Sequence, residues 1–550
     1  MSLKRKHECC EDDDDDHEYK KIKFNELLFT NDYIQLILSF LDQYFIFRTC
    51  SLISKQFREQ AFNTPVALHI KKDEQLKTIR NLTIPLNISE LDVGKEELHN
   101  VLDWIMHHPP KNLKKMSTGQ YEFSTKNNWD EDVQKLCSVP CLSTLTSLRL
   151  GRHMTTNEGC SLIANCEHFQ NLTELTVEES RCDERGMELI VGSKYMNRLT
   201  ALRFSRNMLC TSTDGILSNP LFLRLKKLDI SYNSIEKLNF PQVMPLLEDL
   251  KLSSNNLKSS DFAVLEQTRN LTRLNLCANW LNDEGCKIIS ENQHLSKLTD
   301  LDLSLVKITN TGLKYIVSSP YFNQLKCLSL AYYSFDNEGC KILAESENMR
   351  NLTSLQLSVA KVFGNLTLDG LHYIFSSNNL CNLQFLRLNG FFLEEQSNNK
   401  FGDMLMKSTF KKNLKCLKLL ECHLDRLGLQ NVAQLDGLRK LKIGHYCRMD
   451  HVCECIASSL HMSNLTSLSL SCKIQDSGCL HLANSIYLTR LTKLNLSANQ
   501  IGIDGCKCVA NSPNFPNLTT LDLTRNVMVR HEALQMIQHS PHFKHLKLKI

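Results

Sequence analysis

The chain of 550 residues carries 64 Lys and Arg against 60 Asp and Glu, a net charge of +4, and 42% of its residues are hydrophobic. So small an excess excludes the strong overall basic field of a general nucleic-acid binder, and no run of about 18 consecutive apolar residues suggests a membrane span. Twenty-three cysteines without a secretory leader read as reduced thiols, which places the chain in the cytosol or nucleus.

In chain order, residues 1–23 ("MSLKRKHECCEDDDDDHEYKKIK") lack an apolar signal core and read as a charged, disordered, solubilising tail. The alternative is a split nuclear-import signal made by Lys4–Lys6 and Lys20–Lys23. Residues 24–68 form a small helical unit. Tyr33, Ile34, Ile37, Leu38 and Leu41 lie on one face at helical spacing, with Thr30 or Asn31 as cap. A second short helix holds Phe45, Ile46 and Phe47, and a third runs from about Leu52 toward Phe62. Three short helices in about 40 residues bury too little for independent stability, so the unit needs a partner or a neighbouring domain.

Residues 69–140 form a linker with two degenerate repeat units, "ISELDV" at Ile88 and "LKKMST" at Leu113. From 141 to 550 one text recurs, Leu-x-x-Leu-x-Leu-x-x-Asn followed by Gly and an apolar helical run. Its first leucine falls at fifteen positions from Leu145 to Leu518, spaced 22 to 31 residues apart. This is the period of leucine-rich repeats, roughly 20–29 residues. Within "LTRLNL", Leu274 and Leu276 alternate with Asn275, which predicts a short strand with leucines inward; Ile288 and Ile289 then mark a covering helix. The expected fold is an α/β leucine-rich-repeat solenoid, a horseshoe with parallel strands on the concave face and helices outside, preceded by the small helical domain.

Asparagine at the ninth position is expected to bond the turn backbone from inside, at Asn207, Asn233, Asn255, Asn279, Asn499 and Asn526. Val306, Tyr333, Ala360, Phe391, Cys422, Tyr446 and Lys473 stand there in the middle-to-late repeats, which must satisfy their turns differently. The cluster "HYCRMDHVCEC" (445–455) resembles a zinc site, but Cys453 shares the repeat phase of Cys160, Cys286, Cys340 and Cys506, so these sulfurs are expected to be core residues and no metal or cofactor is implied. No phosphate loop, nucleophile elbow or His-Glu-x-x-His is present, and no enzyme activity is expected.

"ILSFLD" (37–42) and "SLISKQFRE" (51–59) resemble the first- and third-helix signatures of the F-box family, and the repeats that follow look like those of F-box and ribonuclease-inhibitor-like leucine-rich proteins. The family's opening Leu-Pro is Phe29-Thr30 here and its tryptophan is Phe57. The resemblance implies a substrate-recognition adaptor of an SCF-type cullin ubiquitin ligase in ubiquitin-dependent protein degradation. Phe29, Ile37, Leu38, Leu41, Ile46 and Phe47 would contact a Skp-family adaptor, and the repeats would hold a protein substrate. Two alternatives stay open: a non-ligase scaffold or inhibitor resembling ribonuclease inhibitor, with the helices as a cap, and an activator resembling the leucine-rich Ran GTPase activators, using Arg152 or Arg206.

Strand alternation also reads out a candidate substrate surface. The repeats starting at Leu383, Leu414 and Leu438 present Phe385, Arg387, Lys418, Lys440 and Lys442, whereas others present small groups such as Ser304, Ser329 and Ser358. Neighbouring cations and aromatics suit an acidic or phosphorylated protein segment. Phe391 and Tyr446 either join that surface or turn inward in place of the missing asparagine.

Overall fold

A computed structural model describes residues 65–70, 77, 87–94, 97–118, 129–152, 155–210, 216–240, 243–333, 336–359, 367–390, 398–422, 424–444, 451–526, 531–543 and 546–549. The helical unit before residue 65, with Phe29, Ile37, Leu38, Leu41, Ile46 and Phe47, lies outside the described residues, as do Ala360, Phe391 and Tyr446.

Among the described residues one parallel sheet of 19 strands runs the length of the molecule. In chain order the strands are β1 (Val66–Ile70), β2 (Ile88–Val93), β3 (Lys115–Thr118), β4 (Ser147–Leu150), β5 (Glu174–Val177), β6 (Ala201–Arg203), β7 (Lys227–Asp229), β8 (Asp249–Lys251), β9 (Arg273–Asn275), β10 (Asp300–Asp302), β11 (Cys327–Tyr333), β12 (Ser354–Val359), β13 (Phe385–Asn389), β14 (Cys416–Leu420), β15 (Lys440–Gly444), β16 (Ser467–Ser471), β17 (Lys493–Asn495), β18 (Thr520–Asp522) and β19 (Lys547–Lys549). Each pairs in parallel with the next, with register shifts only in β1 and at the end of β11, so that Leu274, Leu301 and Leu328 stand side by side. The expected segments at Ile88 and Leu113 supply β2 and β3, full members of the sheet. The expected boundary after residue 68 lies within β1, which pairs with β2.

From β1 to β18 the alternate apolar residues are buried while most residues between them are partly or fully exposed, giving one core face and one open face. Helices such as Asp283–Glu291 and Asn310–Ser318 close the core on the other side. Their starts are fixed by short polar caps: Asn282 Oδ1 accepts from the N–H groups of Glu284 and Gly285, and Thr309 Oγ1 accepts from Thr311 N–H. Glycine follows because consecutive helices touch there; a Cβ on Gly312 would lie 2.4 Å from Asp283 Oδ1. Between Val191 and Asp283 the described residues contain only 3-10 turns outside the sheet, Pro220–Leu223 and Ser259–Gln267. The repeats there include the shortest, with spacings of 22 and 24 residues, which leave less chain for a full helix.

The expected asparagine ladder forms. Asn279 Oδ1 accepts from Leu257 N–H at 3.3 Å while its Nδ2 donates to the carbonyls of Leu252 and Leu276 at 2.9 and 3.0 Å. Asn233, Asn255, Asn499 and Asn526 repeat the pattern. In the repeats of β11 to β16, which lack the asparagine, the strands lengthen, although β10, with Val306 at that position, keeps 3 residues. β6 to β9, β17 and β18 have 3 residues each, whereas β11 has 7, β12 has 6 and β13 to β16 have 5. Sheet pairing there satisfies backbone groups that the amide serves elsewhere. Tyr333 is accordingly the last residue of β11. Cys422 is buried with its thiol 3.7 Å from Leu388 O. The expectation for Lys473 is corrected: Cys472 takes the ladder place, its thiol 3.6 Å from Ile443 O, because Lys473 instead adopts the left-handed turn, φ 56°.

The repeat-phase cysteines Cys160, Cys286, Cys340, Cys453 and Cys506 are all buried beneath the helices. Burial, then the nearby Asp336 carboxylate, pushes the Cys340 thiol up to about 12, and burial followed by Asp476 pushes Cys506 up to about 11.

Candidate protein-interaction surface

The cations sit on three of the lengthened strands, β13 to β15, of 5 residues each. In β13, β14 and β15 the inward positions are filled by Leu386 and Leu388, Leu417 and Leu419, and Leu441 and Ile443, all buried. The alternate residues face outward. Parallel in-register pairing puts Arg387 beside Lys418 and Lys418 beside Lys442, while Phe385 pairs with Cys416 and Cys416 with Lys440. All five candidate surface residues are therefore brought onto the open face of three adjacent strands. The ammonium of Lys418 sits 5.0 Å from the centroid of the Phe385 ring, a cation–π arrangement.

Side-by-side like charges oppose folding, by about 0.5–1 kcal/mol per neighbouring pair in water before salt screening. Among the described residues Arg387, Lys418, Lys440 and Lys442 form no ion pair. In the same row of outward residues, Gln356 and Ser329 precede Arg387, and Ser469 and Asn495 follow Lys442. The first carboxylates of that row are Asp302 and Asp522, each three strands away. Three strand spacings amount to about 14 Å, well beyond the screening length of about 8 Å at physiological salt. Lys442 registers this environment: partial burial first, then Lys418 and Arg387, hold its ammonium below the ordinary lysine pKa.

The earlier half of the same face is built differently. Arg149 pairs with Glu178 at 2.8 Å, Arg203 with Asp229 at 2.7 Å and Arg273 with Asp249 at 3.0 Å, so these arginines are neutralised by neighbours in the sheet. Arg152 and Arg206, the two arginines weighed for GTPase activation, are likewise engaged. Arg152 Nε lies 2.5 Å from Glu179, and the Arg206 guanidinium stacks 4.0 Å from the centre of the Tyr232 ring.

Outward-residue alternation alone misses the edge of this surface. Lys415 and Arg439 immediately precede β14 and β15, at the position where Thr173, Thr272, Thr353, Thr466 and Thr519 elsewhere donate a hydroxyl to the preceding repeat's carbonyl. The signal in the sequence is the loss of that threonine: the three cationic repeats read Gln384, Lys415 and Arg439 in its place. The preceding asparagine of the recurrent "NLT" also has a structural task, since Asn171, Asn351 and Asn517 each donate an amide hydrogen to a carbonyl one repeat back, at 2.8 to 2.9 Å.

Residues 294–317 and 487–510 match the family model described as Leucine Rich repeat. No curated protein sequence matches the chain. Among solved structures it is similar to an internalin (inlF) from Listeria monocytogenes, at 18% identity over 72% of this chain and 93% of that one, TM-score 0.34. It is also similar to TLR13 in a TLR13–ssRNA13 complex, at 17% identity over 85% and 66%, TM-score 0.44. A Leptospira interrogans LRR protein, LIC12759, matches at 17% over 83% and 99%, TM-score 0.31. The chain carries leucine-rich repeats whose strands line up in one parallel sheet.

Proposed function

We propose that this chain is the substrate-recognition adaptor of an SCF-type cullin ubiquitin ligase, holding an acidic or phosphorylated protein segment on the open face of β13 to β15. The observation that carries the binding half is the row Arg387, Lys418, Lys442, three adjacent cations with no carboxylate in their row within three strands. Such a row lowers stability unless an anionic partner covers it, which is the usual trade of a binding surface. The ligase half rests on the resemblance of residues 24–68 to an F-box. A separate conjugating enzyme would perform the chemistry, and this chain would contribute proximity alone.

Co-purification with a Skp-family adaptor tests the ligase half. The wild-type chain is expected to retain the adaptor, and Leu38→Asp to lose it with the repeats still folded. A wild-type chain that retains no adaptor at micromolar concentrations returns the chain to the plain scaffold reading. One feature favours that second reading: among the described residues β1 has a strand neighbour only in β2, and the end of a repeat array calls for a covering segment, which residues 24–64 would supply as a cap.

A further inference from the structure

Beside the cationic row, at the N-terminal edge of the same strands, lies a groove lined by Lys412, Lys415, Arg439, Asn464, Thr466 and Arg490, with Gly437 at its base. We propose that this groove seats a phosphate monoester, a phosphoserine or phosphothreonine of the partner segment whose acidic stretch covers Arg387, Lys418 and Lys442. The inference rests on the proposed binding surface and adds a second, chemically distinct subsite to it.

Four cations and no carboxylate line the groove. Among the described residues Lys412 and Arg439 form no ion pair. The Arg490 guanidinium is held from behind, one nitrogen donating at 3.0 Å to Asn464 Oδ1, while the Asn464 amide donates at 3.3 Å to Asp436 O. Lys415 is steered by Gln384, its ammonium donating at 2.9 Å to Gln384 Oε1. Asp436, the carboxylate next to Gly437, contacts the imidazole of His461. Side chains positioned by neutral partners keep their charge unspent and their remaining N–H groups for a ligand.

The same edge elsewhere shows what a purely structural solution looks like. Threonine hydroxyls bond the preceding carbonyl in most repeats; Lys226 stands there with a glutamate, Glu248, 3.8 Å away in the next repeat, and Lys326 stands there alone, without the cationic neighbours that Lys415 and Arg439 give each other. Lys415 and Arg439 give up the hydroxyl bond and receive no acid in return. The base of the groove is fixed by close packing, since a Cβ on Gly437 would lie 2.9 Å from Leu414 O.

Geometry sets the spacing of the ligand's charges. Lys415, just before β14, and Lys418 within it are three residues apart, as are Arg439 and Lys442 at β15, which is about 10 Å at the rise of a β-strand. An extended peptide laid along the strands would therefore place a phosphate in the groove and a carboxylate about three residues further on over the row. A phosphate suits the groove better than a carboxylate because its three oxygens and near-double charge can engage two guanidinium groups and two ammonium groups together.

The test is fluorescence anisotropy with the full chain and two labelled ten-residue peptides of glycine and aspartate, identical except that one carries a phosphothreonine three residues before an Asp-Asp pair. Wild type is expected to bind the phosphopeptide at least tenfold tighter than its threonine counterpart. The edge variant Lys415→Ala/Arg439→Ala/Arg490→Ala is expected to lose that preference while binding the threonine peptide as wild type does. The row variant Arg387→Glu/Lys418→Glu/Lys442→Glu should weaken both peptides, and Arg439→Lys should restore part of the preference. An unchanged preference in the edge variant, or none in wild type, overturns the phosphate subsite and leaves the binding surface standing. Failure of wild type to bind either peptide overturns both. A 12-nucleotide single-stranded RNA that displaces the phosphopeptide below the phosphopeptide's own dissociation constant, and loses this ability in the edge variant, would instead assign the groove to nucleic acid and overturn the proposal.

Discussion

The residue before each ladder asparagine adopts a backbone that its side chain disfavours. Arg206, Tyr232, Ser254, Ala278, Ala498 and Arg525 have φ between 55° and 60°, a left-handed conformation costing about 1–2 kcal/mol for a residue with a Cβ. The offset is visible: each of Arg206, Tyr232, Ser254 and Ala278 donates its N–H to a carbonyl one repeat on, at 2.7 to 2.9 Å, and the adjacent asparagine ties the turn from inside. Asn279→Ala strips a buried site of four side-chain hydrogen bonds, so a loss of about 2–3 kcal/mol is expected in denaturant unfolding. Thr519→Val, which removes one exposed edge bond of 2.9 Å, should cost no more than about 0.5 kcal/mol; equal losses would show that the inner ladder has no special weight. The ladder asparagines were legible in sequence because their spacing repeats. The left-handed residue beside them was not, since nothing in Arg, Tyr, Ser or Ala announces it.

Cysteines give a second prediction at this scale. The Cys340 thiol has its pKa raised by burial, so the folded state keeps it protonated at a pH where the unfolded chain ionises it. Stability from this group is fully present below its ordinary pKa of 9.0 and declines as pH rises from there toward about 12. Alkylation at pH 8 followed by mass spectrometry should label exposed Cys210 while Cys286, Cys340 and Cys453 stay protected until the chain unfolds. Rapid labelling of those three in the folded protein would contradict their place in the core.

At the scale of elements, strand length is the variable that sequence reading missed. The Leu-x-Leu alternation marked where each strand begins, and the broken asparagine ladder marked where the turns change. What replaced the ladder was invisible, because continued backbone pairing leaves no residue signature. The substitution matters for function, since β13 to β16 at 5 residues expose more face than the 3-residue strands. The candidate row was legible through alternation plus register, whereas its edge was not, as Lys415 and Arg439 fall just outside the alternating stretch.

Two element-scale predictions follow from this construction. Leu301, 2% exposed in β10 between Leu274 and Leu328, becomes an unpaired buried charge as Leu301→Asp, at a cost of several kcal/mol. Hydrogen exchange should quicken most in β9 to β11 and fade with distance along the array; a uniform change over all repeats would argue against a solenoid. Lys442→Gln removes a repelled charge from the row, so stability at low salt should rise by a few tenths of a kcal/mol and the gain should vanish near 1 M salt. A destabilised Lys442→Gln would mean that the lysine has a structural partner.

Among the described residues one sheet runs from β1 to β19, with two electrostatic regimes on its open face. In the first, arginines and carboxylates pair across strands; in the second, three strands hold cations that form no ion pair among the described residues. A repeat protein keeps its contacts local, so one surface can be specialised without disturbing the rest. The central claim, that this specialised surface selects the partner, is tested most directly by quantitative mass spectrometry of proteins recovered with the wild-type chain and with Arg387→Glu/Lys418→Glu/Lys442→Glu, both checked for cooperative unfolding. The predicted result is equal recovery of a Skp-family adaptor by both chains, together with selective loss from the variant of partners bearing acidic or phosphorylated segments. Recovery of the same partners in the same amounts by both chains would contradict it.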